Sequence, residues 1–184
     1  KEKLIKILSL QSSTYERINI LNDFYEQIFS IIEKPSSIID HACGLNPLTY
    51  FWMKLNDNVK YQAYDIDSDL IWFLNSIFKL FELNNIEVKL GDVLLDEFGY
   101  ADVVFMLKLL PILEQQKKGS SLSVIKKQKC KYLIVSFPIK SLSGNEKGMI
   151  KFYSNWFKKT IEGENWKFRE ILFNTELVFV LYFL

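Results

Sequence analysis

Ser37-Ile38-Ile39-Asp40-His41-Ala42-Cys43-Gly44-Leu45-Asn46-Pro47 is the stretch on which the fold turns. Ile38-Ile39 forms the centre of a short buried strand over residues 37–40. A glycine turn follows at once. Asn46-Pro47 then reads as the start of a helix, because asparagine can cap and proline fits a first turn whose N–H groups lack partners anyway. In doubly wound sheets, ligands bind beyond the carboxyl ends of the strands, where the strand order reverses. Gly44 sits at that point and allows both an unusual backbone conformation and close approach of a ligand. Ala42 is small beside it. One glycine falls short of the G-x-G-x-x-G dinucleotide signature.

Outward from this turn, apolar runs alternate with amphipathic stretches, the pattern of an α/β protein with a mostly parallel sheet. Upstream, Ser13-x-x-Glu16 has the form of a capping box. It is expected to open one helix with Ile18, Leu21, Phe24 or Tyr25, Ile28 and Ile31 or Ile32 on its stripe, ending before Pro35. Downstream, strands are expected over residues 59–64, 86–90, 102–107 and 132–135, with helices within 67–85, 117–129 and 148–162. Residues 166–173 and 177–184 are strand-like runs separated only by Asn174-Thr175-Glu176, too few residues for a helical crossover. They are expected to pair as an antiparallel hairpin. The expectation is a single domain over residues 1–184, an α/β fold of seven strands in the Rossmann-like layout of class I methyltransferases.

Composition excludes several classes. Of the 184 residues 49% are hydrophobic, which rules out disorder for most of the chain. No apolar run approaches the roughly 20 residues that span a bilayer. Lys1-Glu2-Lys3-Leu4-Ile5-Lys6 is no signal peptide, since lysine interrupts its short apolar stretch. Cys43 and Cys130 are too few and too far apart for a disulfide framework or a zinc site, so a cytoplasmic protein without a metal is expected. The net charge is +1, but its distribution is uneven: residues 117–169 hold 13 Lys and Arg against 3 Asp and Glu. Such a segment could present a basic face to phosphates or simply solubilise surface helices.

Two more carboxylates follow the pattern that Asp40 begins. Asp65 ends the second strand, near the spacing at which an acidic residue meets ribose hydroxyls in Rossmann-like folds. A carboxylate can accept both protons of a diol. Asp92 follows the third strand. His41 and Cys43 lie within the turn; both are read as packing, because nothing nearby in sequence would activate the thiol.

The turn, together with Ser12-Ser13-Thr14-Tyr15-Glu16-Arg17, Ala63-Tyr64-Asp65-Ile66-Asp67, Leu107-Lys108-Leu109-Leu110-Pro111 through Gln115-Gln116, and the loop Ser136-Phe137-Pro138-Ile139-Lys140-Ser141-Leu142-Ser143-Gly144-Asn145-Glu146-Lys147-Gly148-Met149, resembles the Arm family of aminoglycoside-resistance 16S ribosomal RNA methyltransferases. The resemblance runs from about Gln11 to Val180. It implies methyl transfer from S-adenosylmethionine to N7 of guanine 1405 in 16S rRNA of the 30S subunit, by a monomer. It also implies cofactor contacts by Gln11, Ser12, Ser13, Arg17, Asp40, Ala42, Gly44, Asp65, Asp92, Val93, Leu107 and Gln116, with Arg17 on the methionine carboxylate. Lys140, Ser141, Ser143 and Lys147 are the residues expected to meet RNA. No acid or base catalyst is expected, because N7 carries a free lone pair. Only ten residues precede Gln11, so the family's long helical N-terminal extension is expected to be missing, from either a fragment of a longer protein or a minimal member. Two other readings stay open: methylation of another RNA or a small molecule, and an inactive module that binds cofactor and RNA.

Overall fold

The computed structural model describes residues 2–139 and 146–182, the side chains of Glu146 and Lys147 excepted. Seven strands form one sheet: β1 (Ser37–His41), β2 (Lys60–Asp65), β3 (Ile86–Leu90), β4 (Ala101–Leu107), β5 (Cys130–Pro138), β6 (Lys167–Leu172) and β7 (Glu176–Tyr182), in the order β3-β2-β1-β4-β5-β7-β6. Strands β1 to β5 run parallel, and β7 lies antiparallel between β5 and β6. The order reverses between β1 and β4, which places the turn after β1 at the switch point. The expected hairpin is present, with Glu176 as the first residue of β7 rather than part of the connection.

Helices cover both faces of the sheet. On one side α1 (Glu2–Leu8), α2 (Ser12–Tyr15), α3 (Leu21–Ile31), α4 (Tyr50–Met53) and α5 (Ser68–Leu80) enclose a core containing Phe24, Ile28, Tyr61, Phe78 and Phe105. On the other, α6 (Leu110–Gln116), α7 (Ser120–Lys127) and α8 (Glu146–Thr160) enclose one built on Met106, Val135, Phe137, Phe157 and Phe179. None of the described helices is long and apolar enough to cross a membrane.

Three local expectations need correction. The single helix from Ser13 onward is broken: α2 ends at Tyr15, a 3-10 turn spans Ile18–Ile20, and α3 begins at Leu21. Ser13 is no cap; the cap position is Gln11, which makes no side-chain capping bond. The break turns Arg17 inward, where it is 2% exposed. Asn46 does not cap the next helix either. Its residues form a 3-10 turn, Asn46–Thr49, and then α4, which stops at Lys54 in the left-handed conformation (φ 52°). Finally, only Ser120–Lys127 of the basic stretch 117–129 is helical, as α7, and α6, which ends at Gln116, falls outside the expected helices.

Candidate active site: a buried charge cluster beneath a glycine turn

Ala42 and Gly44 both adopt positive φ, 48° and 50°, so the chain folds back sharply after β1. For Ala42 that conformation is strained, and such strain concentrates at functional sites. Above Gly44 lies the amide of Gln11: a Cβ placed on Gly44 would meet its nitrogen and oxygen at 2.6 Å. The Gln11 carbonyl oxygen accepts the Leu45 N–H at 2.8 Å. Gln11 and Gly44, assigned from distant motifs, therefore touch.

Asp65 secures the turn from β2. Its Oδ2 accepts the Gly44 N–H at 2.9 Å, and its Oδ1 accepts the N–H groups of Ile66 and Asp67 at 2.8 and 3.2 Å. Three of the approximately four acceptor positions of the carboxylate are thus taken. The expectation was a grip on both hydroxyls of a diol; as arranged, Asp65 has room for one. Asp92 stands two residues beyond β3, half-buried, with Oδ1 accepting the Leu94 N–H at 2.8 Å. Val93 beside it is 7% exposed and packs into the core of the α6–α8 face.

Asp40 occupies a different environment. It is 1% exposed, and its Oδ2 accepts from Asn46 Nδ2 at 2.9 Å and from the Tyr61 hydroxyl at 2.8 Å. Burial pushes its carboxyl up to about 7, even though both bonds favour the ionised form. Asn46 also accepts, through Oδ1, from Arg17 Nη1 at 2.8 Å and from the Tyr25 hydroxyl at 3.1 Å. Asp40 and Arg17, brought together by resemblance alone, therefore share one side chain.

Arg17 is held from β7. Its Nε and Nη2 donate to the two oxygens of Glu176 at 2.6 and 2.9 Å, a bidentate pair of the strong, geometrically selective kind. Phe24 lies against the guanidinium with its ring centre at 4.7 Å. Burial opposes both charges. The Arg17 guanidinium nevertheless titrates above its ordinary value, and Glu176 below its own, because each has the other beside it. Lys108 joins them: its Nζ is 2.6 Å from Glu16, 3.6 Å from Glu176 and 3.3 Å from the Ser13 carbonyl oxygen. Lys108 follows β4 at φ 58° and donates its backbone N–H to Ser136 Oγ at 3.1 Å. The Glu16 of the supposed capping box thus serves as a counter-ion.

The remaining expected residues are more scattered. Ser12 is exposed and Ser13 half-buried on α2, next to this cluster in sequence. Leu107 closes β4, half-buried. Gln116 is the exposed last residue of α6 and has no hydrogen bond to the other expected residues among those described. Lys140, Ser141 and Ser143 lie outside the described residues, as does the side chain of Lys147. Cys43 is 4% exposed, and burial pushes its thiol well above the ordinary range, which suits packing and not nucleophilic attack. His41 packs edge-on against Phe98 at 4.4 Å and shares a hydrogen bond with Gln128 at 2.8 Å.

Sequence reasoning missed Glu176, Lys108 and the bonding role of Asn46. A signal for Glu176 was present: it adjoins the wholly apolar run from Leu177 to Leu181, and a fully buried carboxylate requires a cationic partner. The basic segment also reads differently in three dimensions. Lys126, Lys131 and Lys158 pair with Glu164, Glu33 and Glu170 at 2.6, 2.6 and 2.5 Å, and Lys129 approaches Glu97 at 3.8 Å. Lys129 and Lys131 flank the start of β5, at the opposite end of the sheet from the glycine turn.

The arrangement offers N–H donors at Arg17, an acceptor for one hydroxyl at Asp65 and a tight turn at Gly44 covered by the Gln11 amide, polar groups that suit an amino-acid-bearing nucleoside. Similarity to known proteins follows the same outline. A protein of Micromonospora rosea named 16S rRNA (guanine(1405)-N(7))-methyltransferase is 36% identical over 179 residues, 96% of this chain and 65% of its own length. One of the same name from Proteus mirabilis is 33% identical over 184 residues, 98% of this chain and 66% of its own. The chain thus spans about two thirds of these relatives. Among solved structures, the 16S rRNA methylase ArmA superposes with TM-score 0.80 at 37% identity, covering 98% of this chain and 91% of that one. The 16S rRNA methyltransferase RmtF, solved with S-adenosyl-L-homocysteine, gives TM-score 0.87 at 26% identity, covering 98% and 68%. The family description "Ribosomal RNA methyltransferase (FmrO)" matches residues 2–180, and the chain belongs to that family.

Proposed function

We propose that this chain is the methyl-transferring part of a 16S rRNA (guanine(1405)-N(7))-methyltransferase that uses S-adenosylmethionine and confers aminoglycoside resistance. The observation that carries the reading is the near-complete coverage of this chain by relatives of that name, with the motif residues Gln11, Arg17, Asp40, Gly44 and Asp65 drawn to one end of the sheet. When bound, the cofactor supplies a methyl group made electrophilic by its sulfonium. Arg17 would hold the methionine carboxylate, Asp65 a ribose hydroxyl and Asp92 the adenine side, while Gln11, whose amide lies over Gly44, would stand beside the cofactor.

Guanine N7 presents an in-plane lone pair and no proton. Methylation there would leave the base with a fixed positive charge. No proton moves, so the protein's contribution is placement of base and cofactor in line. The buried thiol of Cys43 and the packed imidazole of His41 have no step to perform. Lys140, Ser141, Ser143 and Lys147, which follow β5 in sequence, would meet RNA, in a monomer acting on 30S subunits in the cytoplasm. The added charge and bulk at N7 would repel a polycationic drug at that edge.

The test is to incubate 30S subunits with the protein and S-adenosylmethionine, then to cleave the rRNA with borohydride and aniline at N7-methylguanine. Scission at guanine 1405 alone is expected. Methyl incorporation with cleavage elsewhere would overturn the position. Cofactor binding without incorporation, from a protein of the relatives' full length, would favour the inactive module.

A further inference from the structure

We infer that Glu176 is a positioning residue for the cofactor's methionine end, acting through Arg17; this rests on the reading that Arg17 takes the methionine carboxylate. A guanidinium has five N–H donors. In this cluster Nε and one N–H of Nη2 go to Glu176, and one N–H of Nη1 goes to Asn46. One donor on each Nη remains without a hydrogen bond among the described residues, and a pair of this kind matches the two oxygens of a carboxylate.

Glu176 cannot swing away from this task. It opens β7, paired in register with Pro138 of β5, and its carboxylate is also held by Lys108 and by the Ser136 side chain. Phe24 covers one side of the guanidinium plane. The plane of Arg17 is therefore set by a residue 159 positions away that need not touch the ligand. Charge points the same way. Arg17 and Lys108 are balanced by Glu176 and Glu16, so a ligand carboxylate enters a neutralised pair of cations and is selected by direction rather than by bulk charge. Without Glu176 the side-on edge of Arg17 becomes available, and a ligand carboxylate can be drawn there in the wrong place.

The experiment compares two ligands by calorimetry, S-adenosylhomocysteine and 5′-methylthioadenosine, the second lacking the methionine carboxylate and amine. Glu176→Gln keeps the shape and removes the charge. It should weaken S-adenosylhomocysteine by about tenfold, the loss expected for one charge-assisted hydrogen bond, and leave methylthioadenosine unchanged. Glu176→Asp, charged but one methylene shorter, should fall between wild type and Glu176→Gln, and it decides the matter if the glutamine variant does not fold. Loss of both ligands in equal proportion, or of neither, overturns the inference. Arg17→Lys tests the underlying reading separately. If it leaves S-adenosylhomocysteine affinity intact, Arg17 does not hold the carboxylate; if it weakens that ligand alone while Glu176→Gln does not, only the role of Glu176 fails.

Discussion

Asp40 and His41 are neighbours in β1, both 1% exposed, yet they face opposite sides of the sheet and opposite kinds of surroundings. On the Asp40 side, Asn46, Tyr61, Tyr25, Arg17 and Glu176 form a buried polar network in which one group's donor meets the next one's acceptor. On the His41 side there is an edge-on ring contact with Phe98 and a single bond to Gln128, while Nδ1 has no partner among the described residues. Alternation along a strand assigned the two residues to different layers, and only one layer received polar company. A buried network holds groups at fixed angles, because any departure leaves a polar atom unsatisfied in a low dielectric. An apolar contact tolerates sliding. The difference teaches that the α1–α5 face at this point is built to hold side chains at fixed angles, and that the α6–α8 face is built to fill space.

The largest expected effect breaks the network. Arg17→Ala leaves Glu176 buried without its main partner, and breaking a buried ion pair costs about 3–5 kcal/mol. Gln128→Ala on the other face removes two ordinary hydrogen bonds, to His41 and to the Val124 carbonyl, worth about 1 kcal/mol each, and leaves no buried charge unpaired. Urea unfolding of the two variants should therefore give midpoints on clearly different scales. Similar losses would mean that the two faces carry equal weight.

The second effect is a pair of opposite pH slopes. Folded Asp40 keeps its proton up to about 7, whereas its ordinary value is 3.8. Its contribution to stability is complete below 3.8 and is lost as pH rises towards 7. His41 behaves in reverse: burial lowers it from 6.5 to about 4, so its contribution is complete above 6.5 and is lost as pH falls towards 4. Each group changes stability by about 1.4 kcal/mol per pH unit inside its window. Glu176 is depressed below 4.5, which leaves pH 4.5 to 6.5 to these two. There the opposing slopes cancel in the native protein. Asp40→Asn should unmask a stability that rises with pH, and His41→Phe one that falls. Parallel curves for the two variants, measured by urea unfolding at pH 5 and pH 6.5, would refute the assigned environments.

Much of the frame was legible because it depends on periodicity. The parallel strands, the closing hairpin and the glycine turn follow from apolar runs and their spacing, and Asp40, Gly44 and Asp65 were placed by their position at strand ends. The cluster was not legible, because its partners are set by tertiary direction. Glu16 looked like half of a capping box, yet it pairs with Lys108, 92 residues away. Asn46 had the identity and position of a cap, yet its amide bridges Asp40 and Arg17. Local rules describe what a polar side chain does when nothing else is near. At both positions a buried charge was near and took precedence.

The smallest effect concerns the basic segment, which in sequence looked like one electrostatic surface. Lys126, Lys129 and Lys131 belong to its 13 cations, but each faces a glutamate, and the latter two stand at the start of β5, away from the glycine turn. Their side chains are 51%, 62% and 45% exposed, so the pairs are solvent-screened and each is worth about 0–1 kcal/mol. The triple change Lys126→Gln, Lys129→Gln, Lys131→Gln should therefore shift thermal stability only slightly. If binding to 30S subunits depends on cations near the end of β5, the change should also leave the salt dependence of that binding as it was. Every phosphate left without its lysine would lower the slope of log K against log salt by about 0.7–0.9. A drop equivalent to two or more phosphates would show that the opposite end of the sheet meets RNA. A drop near zero would separate the two ends as sharply by charge as Asp40 and His41 separate the two faces by polarity.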